Sequence, residues 1–95
     1  MDKVKQILTR KMIISKPLQE MYLNDIKRHG AAEILFYKDG IRMPTLKFFI
    51  KIENEKLIIK MDGLDFITPV KRTYKLKDLD KLTGLFSENF DIKYF

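Results

Sequence analysis

The chain has 95 residues, 45% of them hydrophobic, so we expect a single domain (residues 1–95) with its own core. It contains no cysteine and one histidine, which excludes disulfides and thiolate chemistry and argues against a histidine-cluster metal site. The net charge is +6, and residues 1–30 carry seven Lys/Arg against three Asp/Glu. A basic balance is compatible with an anionic partner such as nucleic acid, and equally with a lysine-rich solvated surface.

No apolar run approaches the roughly 20 residues that a membrane-spanning helix needs. The first ten residues, MDKVKQILTR, lack both a long apolar segment and a small-residue cleavage site typical of a signal peptide. We therefore expect an intracellular, cytoplasmic protein without membrane contact.

Two helices are predicted before residue 31. Within residues 2–14, apolar side chains recur at helical spacing from Val4 to Met12, although 11–15 is also compatible with a short strand. The second helix is predicted from Pro17 to His29, with Ser15 as its N-cap and Gly30 as its stop. Cationic side chains in its last turn complement the helix dipole.

A β-hairpin is the best-determined element of the sequence. In TLKFFIKIENEKLIIKM, residues 45–61, apolar side chains alternate with polar ones on both sides of Asn54-Glu55. A tip there pairs Glu53 with Lys56, and every apolar residue of the buried face then meets another apolar residue. Both a two-residue turn and a four-residue loop from Glu53 to Lys56 give this register.

Two Asp-Gly pairs, at residues 39–40 and 62–63, predict further hairpin turns. The sequence therefore predicts a four-stranded antiparallel meander over 33–38, 45–53, 56–61 and 64–68. Ile59 then faces Phe66 and Leu57 faces Thr68. Pro69 ends or kinks the fourth strand, which resumes in one interpretation from Arg72 to Leu76. The register of the first hairpin stays open.

After the meander, Asp78 is predicted to cap a short helix whose apolar stripe runs from Leu79 to Phe86. Phe90, Ile92 and Tyr94 alternate with polar residues and predict a final strand, whose place in the sheet stays open. The fold class is α+β: N-terminal helices, a four-stranded meander, a short helix and a C-terminal strand.

No catalytic motif is present: neither a phosphate-binding glycine loop, nor HExxH, nor G-x-S-x-G. His29 is a general base in one interpretation and a packed or capping residue in the other, which we favour. The neighbouring carboxylates Asp78 and Asp80 are better explained by a helix N-terminus than by acid–base chemistry. We therefore predict a non-enzymatic protein without cofactor or metal.

The side of the meander that faces away from the helices is the candidate binding surface. It combines lysines with an aromatic ring and isoleucines, among them Ile67, which is more apolar than an ordinary solvated sheet face. The residues predicted to contact a partner are Lys47, Phe49, Lys51, Ile58, Lys60, Lys71 and Arg72.

Two functions are consistent with this surface. In the first, lysines neutralise the phosphates of single-stranded DNA or RNA while Phe49 stacks on a base. In the second, the protein is an adaptor or inhibitor of the sort that mobile elements and phages encode, and the same residues bind a protein target. A homodimer through this face, or cover by the N-terminal helix or the chain end, would also account for its apolar residues.

Overall fold

The computed structural model describes residues 3–37, 42–63 and 66–95. Its elements confirm the α+β class, with helices that precede a meander and a further strand after it. In chain order they are helices α1 (Lys3–Leu8) and α2 (Lys16–His29), strands β1 (Ala31–Tyr37), β2 (Leu46–Glu53), β3 (Lys56–Gly63) and β4 (Val70–Lys75), two 3-10 helices (Leu76–Lys81 and Thr83–Phe86) and strand β5 (Asn89–Tyr94).

Helix α1 is shorter than predicted, and the residues after it form a hydrogen bond with another part of the chain. It ends at Leu8, and residues 11–15 form neither helix nor strand. The Ile13 N–H donates to the carbonyl of Phe86 at 2.8 Å, which ties this segment to the second 3-10 helix. Met12 and Ile14 pack against the core from the same segment.

Helix α2 ends as the sequence predicts. Gly30 adopts a left-handed conformation (φ 86°), and its N–H donates to the carbonyl of Ile26, as in a helix that stops at glycine. At the other end Ser15 precedes the helix in an extended conformation, but its side chain makes no capping hydrogen bond. The Ser15 carbonyl instead accepts the first backbone bond, from Gln19 at 2.9 Å.

All five strands form one antiparallel sheet in the order β4-β3-β2-β1-β5. The predicted β2–β3 register is confirmed: Phe48 pairs with Met61, Ile50 with Ile59, and Glu53 with Lys56. The tip is the two-residue turn, and both Asn54 (φ 51°) and Glu55 (φ 61°) have positive φ. The predicted turn at Asp39-Gly40 lies outside the described residues.

The meander has a fourth strand, but residues 66–68 are not part of it; the strand overlaps the suggested resumption from Arg72 to Leu76 and has a register other than the predicted one. Asp62 and Gly63 do not form a turn but belong to β3, and Gly63 pairs with Leu46. A side chain at Gly63 would place its Cβ 2.6 Å from the Thr45 carbonyl oxygen, so close backbone approach explains this glycine. Strand β4 begins at Val70, beyond Pro69, and pairs Met61 with Val70 and Leu57 with Tyr74. The predicted partner of Met61, Leu64, lies outside the described residues.

The chain end supplies the last strand and part of the core. The predicted helix after Asp78 is replaced by the two 3-10 helices, and their Leu79, Leu85 and Phe86 are buried. β5 then lies antiparallel beside β1, with Ile92 opposite Ile34. One apolar cluster joins α1, α2, the 3-10 helices and one side of the sheet. The helices therefore cover a single side, and the other side carries the exposed residues described next.

Candidate binding face

The outer face of the sheet consists of the strand residues whose side chains point away from this core. The strand registers define it: Ala31, Glu33, Leu35, Tyr37, Lys47, Phe49, Lys51, Glu53, Lys56, Ile58, Lys60, Asp62, Lys71, Thr73, Lys75, Asn89, Asp91 and Lys93. Seven lysines stand against four carboxylates, so the formal charge of this face is +3. Its lysines on β2, β3 and β4 are all exposed, whereas the alternate positions of β2 and β3 are largely buried.

The ion pairs among the described residues of the outer face lie on its β1–β2 half. On the β1–β2 half, Lys51 Nζ lies 3.2 Å from Glu53 Oε2, and Lys47 Nζ lies 4.0 Å from Glu33 Oε1. On the β3–β4 half, Lys60 is directly opposite Lys71, and Lys56 is directly opposite Lys75. None of these last four lysines makes an ion pair with a described residue.

We call Lys56, Lys60, Lys71 and Lys75 the lysine quartet. Like charges directly opposite one another in an antiparallel pair destabilise the sheet by up to about 1 kcal/mol. Ile58 and Thr73 form the pair between them, so two facing lysine pairs flank a small uncharged centre. The quartet thus concentrates positive charge at a cost to folding, and a bound anion would relieve that cost.

Two aromatic rings meet beside the quartet. The Phe49 and Phe95 ring centroids are 5.8 Å apart with an interplanar angle of 50°, and Lys93 Nζ lies 5.7 Å from the Phe95 centroid. Phe95 remains 54% exposed, so it contacts Phe49 without covering the face. A shallow depression of about 330 Å³ adjoins Phe49 and is lined by Lys47, Phe49, Lys60 and Asp62. An aromatic floor with cations at its rim is therefore present on the outer face.

The structure brings together six of the seven predicted contact residues. Lys47, Phe49, Lys51, Ile58, Lys60 and Lys71 all belong to the outer face. Arg72 does not: it pairs with buried Ile59 on the side of the sheet that carries the core, although its own side chain is exposed. Ile67 does not belong to the outer face either, because it lies in the β3–β4 connection, where it is fully exposed.

Sequence reasoning missed half of the lysine quartet and the second ring. Lys75 joins the face only in the true register of β4, which puts it opposite Lys56. The spacing of Lys71, Thr73 and Lys75 in the VKRTYK segment was the available pattern, since alternate residues share one face of a strand. Phe95 was recognisable only as part of an alternating chain end.

Two other residues considered for chemistry, His29 and Asp78, contact neighbouring side chains. His29 is exposed and stacks on Tyr94, with ring centroids 4.8 Å apart. Asp78 forms an ion pair with Lys81 at 3.7 Å. No group of three or more metal-ligating His, Cys, Asp or Glu side chains occurs within residues 3–37, 42–63 and 66–95.

The tyrosines at the β5 side of the sheet have perturbed acidity. Desolvation raises the pKa of Tyr37, and its side-chain hydrogen bond with Asp91 and the charge of that carboxylate raise it further. Desolvation likewise raises the pKa of Tyr94, to which the charge of Asp25 adds. Both phenols therefore stay protonated at neutral pH.

The chain was compared with protein-family models, with curated proteins and with solved structures, and none of these comparisons gives a match. Among the described residues, no helix combines the length and apolar character required to cross a membrane.

Proposed function

We propose that this chain is a non-enzymatic protein that binds single-stranded nucleic acid on the outer face of its sheet. The observation that carries the proposal is the lysine quartet, in which lysines face one another across β3 and β4 and none of the four forms an ion pair with a described residue. A chain that only needed a solvated sheet would gain stability from a glutamate at one position of each pair. Retaining four cations there is accounted for by an anionic ligand.

The quartet matches a backbone with regularly repeated phosphates. Lys56 and Lys60 are four residues apart on β3, and their partners on β4 repeat this spacing, so the two pairs are about 13 Å apart along the strands. A polyanion that follows the strand direction contacts both pairs, whereas a single small anion contacts only one. Each phosphate that a lysine neutralises releases counterions, which makes binding fall steeply with salt.

The aromatic pair explains a preference for single strands. Phe49 and Phe95 present ring surface on the same face as the lysines, and unpaired bases stack on such rings. Stacked bases inside a duplex are not accessible to these rings. Each base that stacks on a phenylalanine contributes roughly 1–3 kcal/mol, which corresponds to about 5- to 150-fold in affinity.

Fluorescence anisotropy with labelled single-stranded and duplex oligonucleotides, at two salt concentrations, tests the proposal. We expect tighter binding of single strands and a salt slope that falls by about 1.4 in the double variant Lys60→Gln/Lys71→Gln. Lys5→Gln/Lys11→Gln removes the same charge from exposed positions near the N-terminus and is the matched control. Equal losses in both double variants would assign binding to net charge and refute a role for the quartet.

The substitution Lys71→Glu separates function from stability. It places a carboxylate opposite Lys60, so we expect the free energy of unfolding to rise by roughly 0.2–1 kcal/mol. The same change should weaken binding at least as much as Lys60→Gln/Lys71→Gln, because it removes one cation from the quartet and neutralises a second. Urea unfolding and anisotropy on one preparation measure both. A variant that is more stable and binds as well as the native protein would contradict the proposal.

A protein target is the second candidate, and a different surface favours it. Met43 is 75% and Ile67 fully exposed, in the β1–β2 and β3–β4 connections. Because successive strands are antiparallel, both connections lie at the same end of the sheet. Nuclease-treated pull-downs with the native chain and with Met43→Ser/Ile67→Ser test an adaptor or inhibitor role. A single captured protein that the double variant loses would support it, and equal capture by both would not.

A further inference from the structure

Strand β5 has one free edge. It ends the sheet on the β1 side, and no backbone hydrogen bond joins Phe90, Ile92 or Tyr94 to a described residue beyond the sheet. The Phe95 N–H donates to the Ala31 carbonyl at 3.1 Å, which fixes which residues bond to β1. Bonded pairs alternate along an antiparallel ladder, so Asn89, Asp91 and Lys93 bond to β1. Phe90, Ile92 and Tyr94 therefore direct their N–H and C=O groups outward.

We propose that this edge pairs with the same edge of a second copy, so that two sheets join into one about a two-fold axis at Ile92. In this register Ile92 faces Ile92 of the second copy, and Phe90 faces Tyr94. These are the residues whose backbone groups point outward, so the junction gains about six backbone hydrogen bonds. Pairing at this edge does not require the proposed binding of nucleic acid.

Charge complementarity selects a second copy as the occupant of this edge. Between the bonded pairs of this register, Asp91 lies opposite Lys93 of the second copy, and Lys93 lies opposite Asp91. Two opposite-charge pairs thus form on the outer face, at the close spacing of non-bonded positions. Two neighbouring registers also keep the outward backbone groups paired. One is centred on residue 91 and puts Asp91 opposite Asp91 of the second copy; the other is centred on residue 93 and puts Lys93 opposite Lys93 of the second copy. The sequence therefore favours one register over its neighbours.

The opposite edge of the sheet does not have this property. In β4, Lys71, Arg72 and Lys75 are cationic, and the strand contains no acidic residue. Antiparallel pairing of two β4 strands brings like charges together, which natural edge strands use to prevent association. The two edges thus differ in kind: one is self-complementary and the other repels its own copy.

The two-fold axis runs perpendicular to the sheet, so both outer faces point to the same side of the joined sheet. Phe90, Ile92 and Tyr94 are each half-buried in the single chain, and pairing covers more of their apolar surface. A six-residue strand buries less than the roughly 1,200 Å² typical of stable interfaces. We therefore expect a dimer whose population rises with protein concentration.

Sedimentation velocity of the full chain, without nucleic acid, tests the dimer with charge exchanges. Asp91→Lys and Lys93→Asp each turn both attractive pairs into repulsive ones, and each should raise the dimer Kd about tenfold or more. An equimolar mixture of the two variants restores both opposite-charge pairs, so we expect a heterodimer. The double variant Asp91→Lys/Lys93→Asp exchanges the charges within one chain and should dimerise by itself.

A matched control isolates the edge from local charge effects. Lys93 lies opposite Glu33 on β1, and Lys56 lies opposite Glu53 on β2. Lys56→Asp therefore creates the same pair of facing carboxylates as Lys93→Asp, but three strands away from the β5 edge. This control should dimerise like the native chain, with thermal unfolding confirming that each variant folds. A native chain that is monomeric at all concentrations, or single variants that dimerise like it, would overturn the proposal.

Discussion

Gly84 is the residue whose substitution the structure penalises most clearly. It lies in the second 3-10 helix, where this segment packs against the end of α1. The Cβ of an alanine at this position would overlap the Ile7 carbonyl oxygen and lie 2.7 Å from the Leu8 carbonyl carbon. All of these neighbours are backbone atoms, so no side-chain rotation can relieve the overlap.

The loss in free energy of unfolding caused by Gly84→Ala depends on which of two responses the chain makes. If α1 shifts by several tenths of an ångström to restore contact distance, the cost is that of overpacking, about 1–3 kcal/mol and occasionally more. If α1 detaches, the burial of Val4, Ile7 and Leu8 is lost, which is roughly 4.5–9 kcal/mol as an upper estimate. We expect a loss of about 3 kcal/mol, since both facing elements are rigid backbone.

Urea unfolding followed by circular dichroism measures this loss, and hydrogen exchange of the α1 amides locates it. Gly30→Ala is the control: its Cβ would meet nothing within 4 Å, so only the left-handed conformation (φ 86°) is penalised, by about 1–2 kcal/mol. We therefore expect the free energy of unfolding of Gly84→Ala to be well below that of Gly30→Ala. If Gly84→Ala cost less than Gly30→Ala, the close packing of α1 on the second 3-10 helix would be refuted.

Three further predictions concern the turn, an exposed side chain and the tyrosines. Glu55→Gly should stabilise the chain by about 0.5–1 kcal/mol in urea unfolding, because φ is 61° there and glycine adopts it without strain; a destabilised variant would contradict the two-residue turn. Ile67→Ser should change the free energy of unfolding by less than about 0.5 kcal/mol, whereas Ile59→Ala should cost about 2–5 kcal/mol, because Ile67 is fully exposed and Ile59 fully buried. The fold raises the pKa values of Tyr37 and Tyr94 and so favours the protonated phenols. Their contribution to the free energy of unfolding is therefore fully present below the ordinary value of 10.0 and is lost as pH rises through the folded values. Urea unfolding between about pH 9 and pH 11 should show this decline, and the free energy of unfolding of Tyr37→Phe/Tyr94→Phe should fall less steeply with pH. An equally steep fall in the double variant would contradict the prediction.

The sequence was most informative where alternation and turn position agree. In the β2–β3 hairpin each apolar residue has one partner that keeps it on the buried face, so a slip by one residue would expose the whole strand. That constraint determined the register correctly from Phe48 to Lys56. The end of α2 was equally clear, because Gly30 is a residue type that readily adopts the left-handed conformation.

The β4 error has a physical origin. Leu64 to Thr68 alternates like a strand, whereas the true β4 places Arg72 between Val70 and Tyr74 on the side that faces the core. An edge strand tolerates a cation there because its side chain reaches solvent, so the apolar pattern that identifies a strand is interrupted. The same error removed Lys75 from the predicted face and kept Arg72 and Ile67 in it. The contact between Phe49 and Phe95 required the position of β5, which local sequence does not determine.

The position of β5 beside β1 also determines the order in which the chain can assemble. β1, β2 and β3 are joined by neighbours in sequence, so their ladders close over short loops, whereas Ala32 meets Tyr94 across more than half of the chain. Contacts between distant segments form slowly, and during synthesis β1 has an open edge until residues 89–94 have left the ribosome. Helix α2 is synthesised before the strands described here, so β1 can pack against it as soon as β1 is made. The pairing of β5 with β1 then completes the sheet last.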